Sequence, residues 1–161
     1  SAEKRHVKTQ LPDYESPDLM TYSLESTIAE KFDAILQRFE LTGRMKDFYD
    51  IYYLAHTFNF IGENLRKAIQ ETLHARKTPH DEMSFARLIE LKFDQDMKVK
   101  WRYFQKTIGD DNLHFEWVVE QIERFLSPVY EAIIRGERMQ MNWTSQSLSW
   151  ESIKSSPEVD C

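Results

Sequence analysis

A chain of 161 residues, 41% hydrophobic and 13% aromatic, carries enough apolar material for one packed domain and excludes wholesale disorder. A formal net charge of −6 excludes a protein that grips nucleic acid with its whole surface, so any RNA contact must come from a local patch. The single cysteine, Cys161, is the last residue, which excludes an intrachain disulfide framework and a thiolate zinc cluster, and fits a reducing, cytoplasmic location.

No apolar run approaches the ~20 residues needed to span a bilayer, so no membrane association is expected. The polar opening Ser1-Ala2-Glu3-Lys4-Arg5 is not a signal peptide. Four glycines and five prolines, widely spaced, are too few for a turn-rich sheet protein and favour long helices.

Residues 1–20 are polar, carry Pro12 and Pro17, and read as an extended lead-in with at most a short strand near Leu19–Tyr22. Ser23 is placed to cap a first helix, and Glu25 suits its positive end. Leu24, Ile28, Phe32, Ile35, Leu36 and Phe39 then recur at spacings of three and four, the stripe of an amphipathic helix, until Gly43. A second helix, from about Arg44 to Thr57, is apolar on nearly every side and is expected to be buried. A third follows Gly62, with Leu65, Ile69 and Leu73 on one face, before Pro79.

A shorter fourth helix carries Phe85, Leu88 and Ile89. Asp94 caps a fifth with Met97, Trp101, Phe104 and Ile108 in register, ended by Gly109. The sixth and longest runs from Phe115 past Ile133 to Gly136, with a kink expected at Pro128. Residues 137–161 read as a polar tail in which Trp143 and Trp150 are free to dock, with disorder expected beyond Trp150. The expected fold is therefore all-α: a bundle of about six helices spanning residues 21–136.

Chemistry concentrates between Tyr22 and Leu54, where Glu30, Lys31 and Arg38 on the first helix and Arg44, Lys46, Asp47 and Asp50 on the second interrupt strongly apolar segments. Charges are costly to bury unless paired, and two carboxylates three residues apart face the same way. Two readings stand. Either the charges form an ion-pair network that fixes the hairpin, or they form half of an active site completed by another domain.

The remaining candidates are weaker. Asp94-Gln95-Asp96 opens a helix, so N-capping explains it better than metal binding. His56, His74, His80 and His114 have no ligand spacing, and no metal site is expected. Lys98, Lys100, Arg102 and Lys106 give the fifth helix a basic side that is either solvated or an RNA contact. Trp101 and Phe104 suit a core.

The stretch Tyr22-Ser23-Leu24-Glu25-Ser26-Thr27-Ile28-Ala29-Glu30-Lys31-Phe32-Asp33-Ala34 resembles the Tyr-x-x-Glu-x-x-x-Ala-Glu-Lys-x-x-Ala segment of nucleotidyltransferases of the AbiEii/AbiGii toxin family. Gly43-Arg44-Met45-Lys46-Asp47-Phe48-Tyr49-Asp50-Ile51 is similar to their Arg-x-Lys-Asp-Phe-Tyr-Asp segment, in the same order and at the same gap. Weaker likenesses follow at Ala68-Ile69, Thr72, Arg76, Thr78-Pro79, Trp101 with Phe104, and Phe125-Leu126 before Pro128. The resemblance runs from about Leu19 to Ile133.

It implies a polymerase-β-like toxin that uses magnesium to transfer a nucleotide from a nucleoside triphosphate to an acceptor such as tRNA. Lys31 would bind the triphosphate as a point charge, and Asp47 would orient Lys31 or a neighbour. Glu30, Arg38, Arg44, Lys46 and Asp50 would support the nucleotide. The chain departs from the pattern because it has no Gly-Ser pair followed by an Asp-x-Asp strand to hold metal. The resemblance therefore implies a C-terminal helical portion, led into from an N-terminal catalytic domain. Such a portion alone would hold no magnesium, bind nucleotide weakly and transfer nothing. A non-catalytic module that binds an antitoxin or RNA, and a plain structural domain, are the competing readings.

The two functional readings differ in geometry. A short turn at Leu41-Thr42-Gly43 makes the first two helices antiparallel. Counting from that turn sets Lys31 opposite Tyr53 and about six residues, ~9 Å, from Asp47. A structural network pairs Arg38 with Asp47 and Lys31 with Asp50 or solvent. A half-site puts the heads of Lys31 and Asp47 together in one opening.

Overall fold

The computed structural model describes residues 23–38 and 44–153. Within them lie six α-helices: α1 (Leu24–Arg38), α2 (Met45–Thr57), α3 (Gly62–Ala75), α4 (Glu82–Glu90), α5 (Gln95–Ile108) and α6 (Phe115–Arg135). The short strand expected near Leu19–Tyr22 and the stop at Gly43 lie outside the described residues.

The helix ends follow from local chemistry. Ser23 Oγ accepts the Ser26 amide at 3.1 Å and starts α1. Asp94 accepts the Met97 amide at 2.9 Å and starts α5, so the Asp-x-Asp sequence here is a cap. Asp81 and Ser84 form a reciprocal capping box at the start of α4. Gly109 and Gly136 end α5 and α6 in the left-handed conformation, at φ of 67° and 66°. The helical run of α6 continues through Pro128 for all 21 residues.

The apolar stripes meet in one core. α6 is the central element and packs against α2, α3 and α4, while α1 lies across both α3 and α2. Phe48 of α2 meets Phe115 of α6 edge-on at 5.3 Å, and Phe115 also touches Trp101 of α5 at 5.5 Å. Trp101 is buried, and its indole N–H donates to the Leu113 carbonyl at 2.6 Å, as expected of a core tryptophan. No helix among the described residues is long and apolar enough to cross a membrane.

The segment after Gly136 departs from the expected polar tail. β2 (Met141–Thr144) and β3 (Ser149–Ser152) form a hairpin, and β1 (Phe60–Ile61) adds to it in the antiparallel order β1-β2-β3. Trp143 faces both Phe60 and Trp150 across the sheet. Its indole N–H donates to the Ala55 carbonyl at 2.7 Å, and that of Trp150 donates to the Phe125 carbonyl at 3.0 Å. Met139, Met141 and Trp143 alternate with polar residues, a strand period that the surrounding serines and charges obscure.

Gly62 lets this sheet sit over α3. A Cβ there would lie 2.1 Å from the Met141 carbonyl oxygen, so another residue would push β2 away. One residue on, Glu63 accepts from Arg66 and from the Met139 amide, tying α3 to the strand's approach.

Candidate functional site

The charged residues of the hairpin converge where α1 crosses the first turns of α2. Lys31 Nζ lies 2.6 Å from Asp50 Oδ2 and 3.5 Å from Asp47 Oδ1. Lys46 reaches the same Asp50 oxygen from one helical turn away, at 2.8 Å. Arg44 lies 3.5 Å from Asp47 Oδ2. Three cations and two carboxylates thus form one chain of contacts from Arg44 through Asp47, Lys31 and Asp50 to Lys46.

Exposure grades outward along this chain. Asp50 is 1% exposed, Lys31 and Asp47 are 15% and 16%, and Lys46 and Arg44 are 35% and 40%. The buried member is a carboxylate whose Oδ2 holds two ammonium groups, while its Oδ1 is buried without a hydrogen-bond partner. It is held by opposite charge on one oxygen, an arrangement that fixes the lysines more than it satisfies the carboxylate.

The geometry combines features of both arrangements. The tighter pair is Lys31–Asp50, as in a structural network, yet the heads of Lys31 and Asp47 also lie 3.5 Å apart on partly exposed side chains. The ~9 Å counted from the turn is an offset along the helix, and the lysine side chain narrows it to 3.5 Å between the heads. Arg38 belongs to α1, but its side chain lies outside the described residues. Glu30 faces elsewhere and pairs with Arg76 at the end of α3.

That second contact exposes a residue missed in the sequence. Asp33 is fully buried, its Oδ1 accepts the Thr78 hydroxyl, and its Oδ2 lies 3.8 Å from Arg76 Nε without a hydrogen bond. Its only signal was a carboxylate inside the apolar stripe, two residues after Lys31.

The other candidates are placed as follows. His56 faces Gln121 at 3.2 Å, and burial holds its imidazole pKa below the usual value. On α5, Arg102, Tyr103 and Lys106 are exposed, with the Lys106 ammonium 5.5 Å from the Tyr103 ring centre. A cavity of about 450 Å³ beside them is lined by Lys98, Arg102 and His114, but also by Asp111 and Glu116, so its charge is mixed.

Magnesium does not fit the charged cluster. Asp47 and Asp50 are already engaged by lysine and arginine, and no group of three or more candidate ligands exists among the described residues. Lys31, Lys46 and Arg44 bring their donors together at graded depth, each shared with one or both of the two carboxylates.

Comparison with curated proteins and with solved structures gives no match. A family model, described as the nucleotidyl transferase AbiEii toxin of a type IV toxin–antitoxin system, matches residues 1–121, which include α1 through α5, the whole charged cluster and the first turns of α6. The chain belongs to the AbiEii nucleotidyltransferase toxin family.

Proposed function

We propose that this chain supplies the triphosphate-binding part of a toxin nucleotidyltransferase that moves a nucleotide from a nucleoside triphosphate to an acceptor such as tRNA. The observation that carries the reading is Lys31: its ammonium is held between Asp50 and Asp47, on a side chain that is partly exposed. Lys31 contacts the phosphates as a point charge. Asp50, buried beneath, fixes its height, and Asp47 limits its sideways swing while also meeting Arg44. Arg44 and Lys46 meet the outer phosphate oxygens. The magnesium that such a transfer uses has its ligands outside this cluster. Glu30 acts on α1 and not on the nucleotide.

The test is nucleotide binding by calorimetry, with ATP, CTP, GTP and UTP each titrated into the wild-type chain and into Lys31→Met, which removes the charge and keeps the stem. Lys31→Met is expected to weaken the preferred nucleotide about tenfold, the equivalent of ~1.4 kcal/mol. Equal affinity in wild type and variant, or no binding by the wild type, overturns the proposal.

One observation favours a second reading. The exposed Tyr103 beside Arg102 and Lys106 suits RNA stacking, as in a non-catalytic binding module. Binding of single-stranded RNA that survives Lys31→Met but is lost in an Arg102→Ala, Lys106→Ala double variant supports that reading instead.

A further inference from the structure

We infer that a clamp formed by Asp33, Thr78 and Arg76 positions Lys31 from the opposite side of α1. This rests on the nucleotide-site reading of Lys31 and adds residues from outside the charged cluster. Lys31 and Asp33 are two residues apart, which turns them about 200° from each other around the helix. Lys31 points at α2, while Asp33 points at the link between α3 and α4.

That link is rigid. Lys77 holds a left-handed backbone at φ 54°, which a side chain this size rarely adopts. The amides of Lys77 and Thr78 donate to the His74 and Leu73 carbonyls at 3.1 and 3.0 Å, and the Thr78 carbonyl meets His80 Nδ1 at 2.8 Å. Thr78 is buried, so its hydroxyl meets Asp33 out of water. Arg76 completes the clamp by pairing with Glu30 and standing 3.8 Å from the bare Asp33 oxygen.

The energetics say which contacts matter. Glu30 and Arg76 are each about half exposed, so their pair alone adds little. Asp33 is fully buried, and a buried carboxylate that loses a partner is costly until its helix moves. A roll of α1 against α3 and α2 would relieve that cost. At a side-chain radius of about 5–6 Å, a roll of about 20° displaces a group by ~2 Å. That is enough to take Lys31 out of reach of Asp47.

The test follows the Lys31 ammonium directly. Lysines are reductively methylated with ¹³C, and the Lys31 signal is assigned by its loss in Lys31→Met. In Thr78→Val, which keeps the shape and removes the hydroxyl, the Lys31 signal is expected to move and affinity for the preferred nucleoside triphosphate to fall about fivefold. Thr78→Ser is expected to restore both. If Thr78→Val does not fold, Arg76→Lys, which keeps the charge but cannot span both carboxylates, is expected to give a smaller displacement in the same direction.

A folded variant with a lowered melting temperature but an unmoved Lys31 signal and wild-type affinity makes the clamp merely structural and overturns the inference. So does failure of Thr78→Ser to restore the signal. If Lys31→Met leaves binding intact, the nucleotide-site reading fails separately, and the ¹³C arm still decides whether the clamp positions Lys31.

Discussion

Asp50 is the residue on which the charged cluster depends. Two ammonium groups meet one oxygen of a carboxylate that is almost completely buried. Asp50→Asn leaves those two cations facing each other with no charge between them. The expected loss is about 2 kcal/mol of folding stability, moderated because Lys46 is partly exposed and can turn to water. Asp47→Asn touches longer contacts nearer the surface and should cost only about 0.5–1 kcal/mol. Urea unfolding of both variants checks the order, and an Asp47→Asn cost equal to or above that of Asp50→Asn contradicts the assignment of Asp50 as the anchor. At this scale the sequence was informative where charges sat inside apolar helices, as with Lys31, Asp47 and Asp50. It hinted at Asp33 only by its place inside the apolar stripe, and could not name a partner, because a lone carboxylate on a helix looks the same whether it faces water or a buried threonine.

At the scale of elements, the tie between α3 and the strand hairpin rests on Glu63. Arg66 above all, helped by the Met139 amide, holds the Glu63 carboxyl at about 2, against a usual 4.5, while burial pulls the other way. A pKa depressed in the folded state means stability that is fully present above pH 4.5 and is lost as pH falls toward 2. Glu63→Gln should therefore flatten the fall in melting temperature between about pH 5 and pH 2. An unchanged acid slope in that variant means Glu63 does not carry the effect. Most helix boundaries were legible, since caps at Ser23 and Asp94 and left-handed stops at Gly109 and Gly136 act within one turn. The capping box of Asp81 and Ser84 was equally local and readable in principle.

For the molecule as a whole, the hairpin is part of the core and not an appendage. Trp143 is 2% exposed, meets Phe125 edge-on at 4.9 Å and Trp150 at 5.5 Å, and hydrogen-bonds to α2. Trp143→Ala should cost about 3–5 kcal/mol, the range for deleting a buried aromatic. A loss below ~1 kcal/mol in chemical denaturation means the helices are complete without the sheet. The family match ends at residue 121, so it does not extend to β2 or β3.

What the sequence alone determined is the helical plan and the presence of an unusual charge cluster. Helical hydrogen bonds close between residues four apart, and caps act within a turn, so composition and spacing suffice. The tertiary structure decided everything that depends on a meeting of distant residues. The crossing of α1 and α2 chose Asp50 as the nearest partner of Lys31 and left Asp47 within reach. The turn after α3 brought Thr78 to Asp33, 45 residues away, and the hairpin brought Trp143 to Ala55, 88 residues away. Those contacts have no period in the chain. They exist because burying apolar helix faces together sets positions and angles that no single segment encodes.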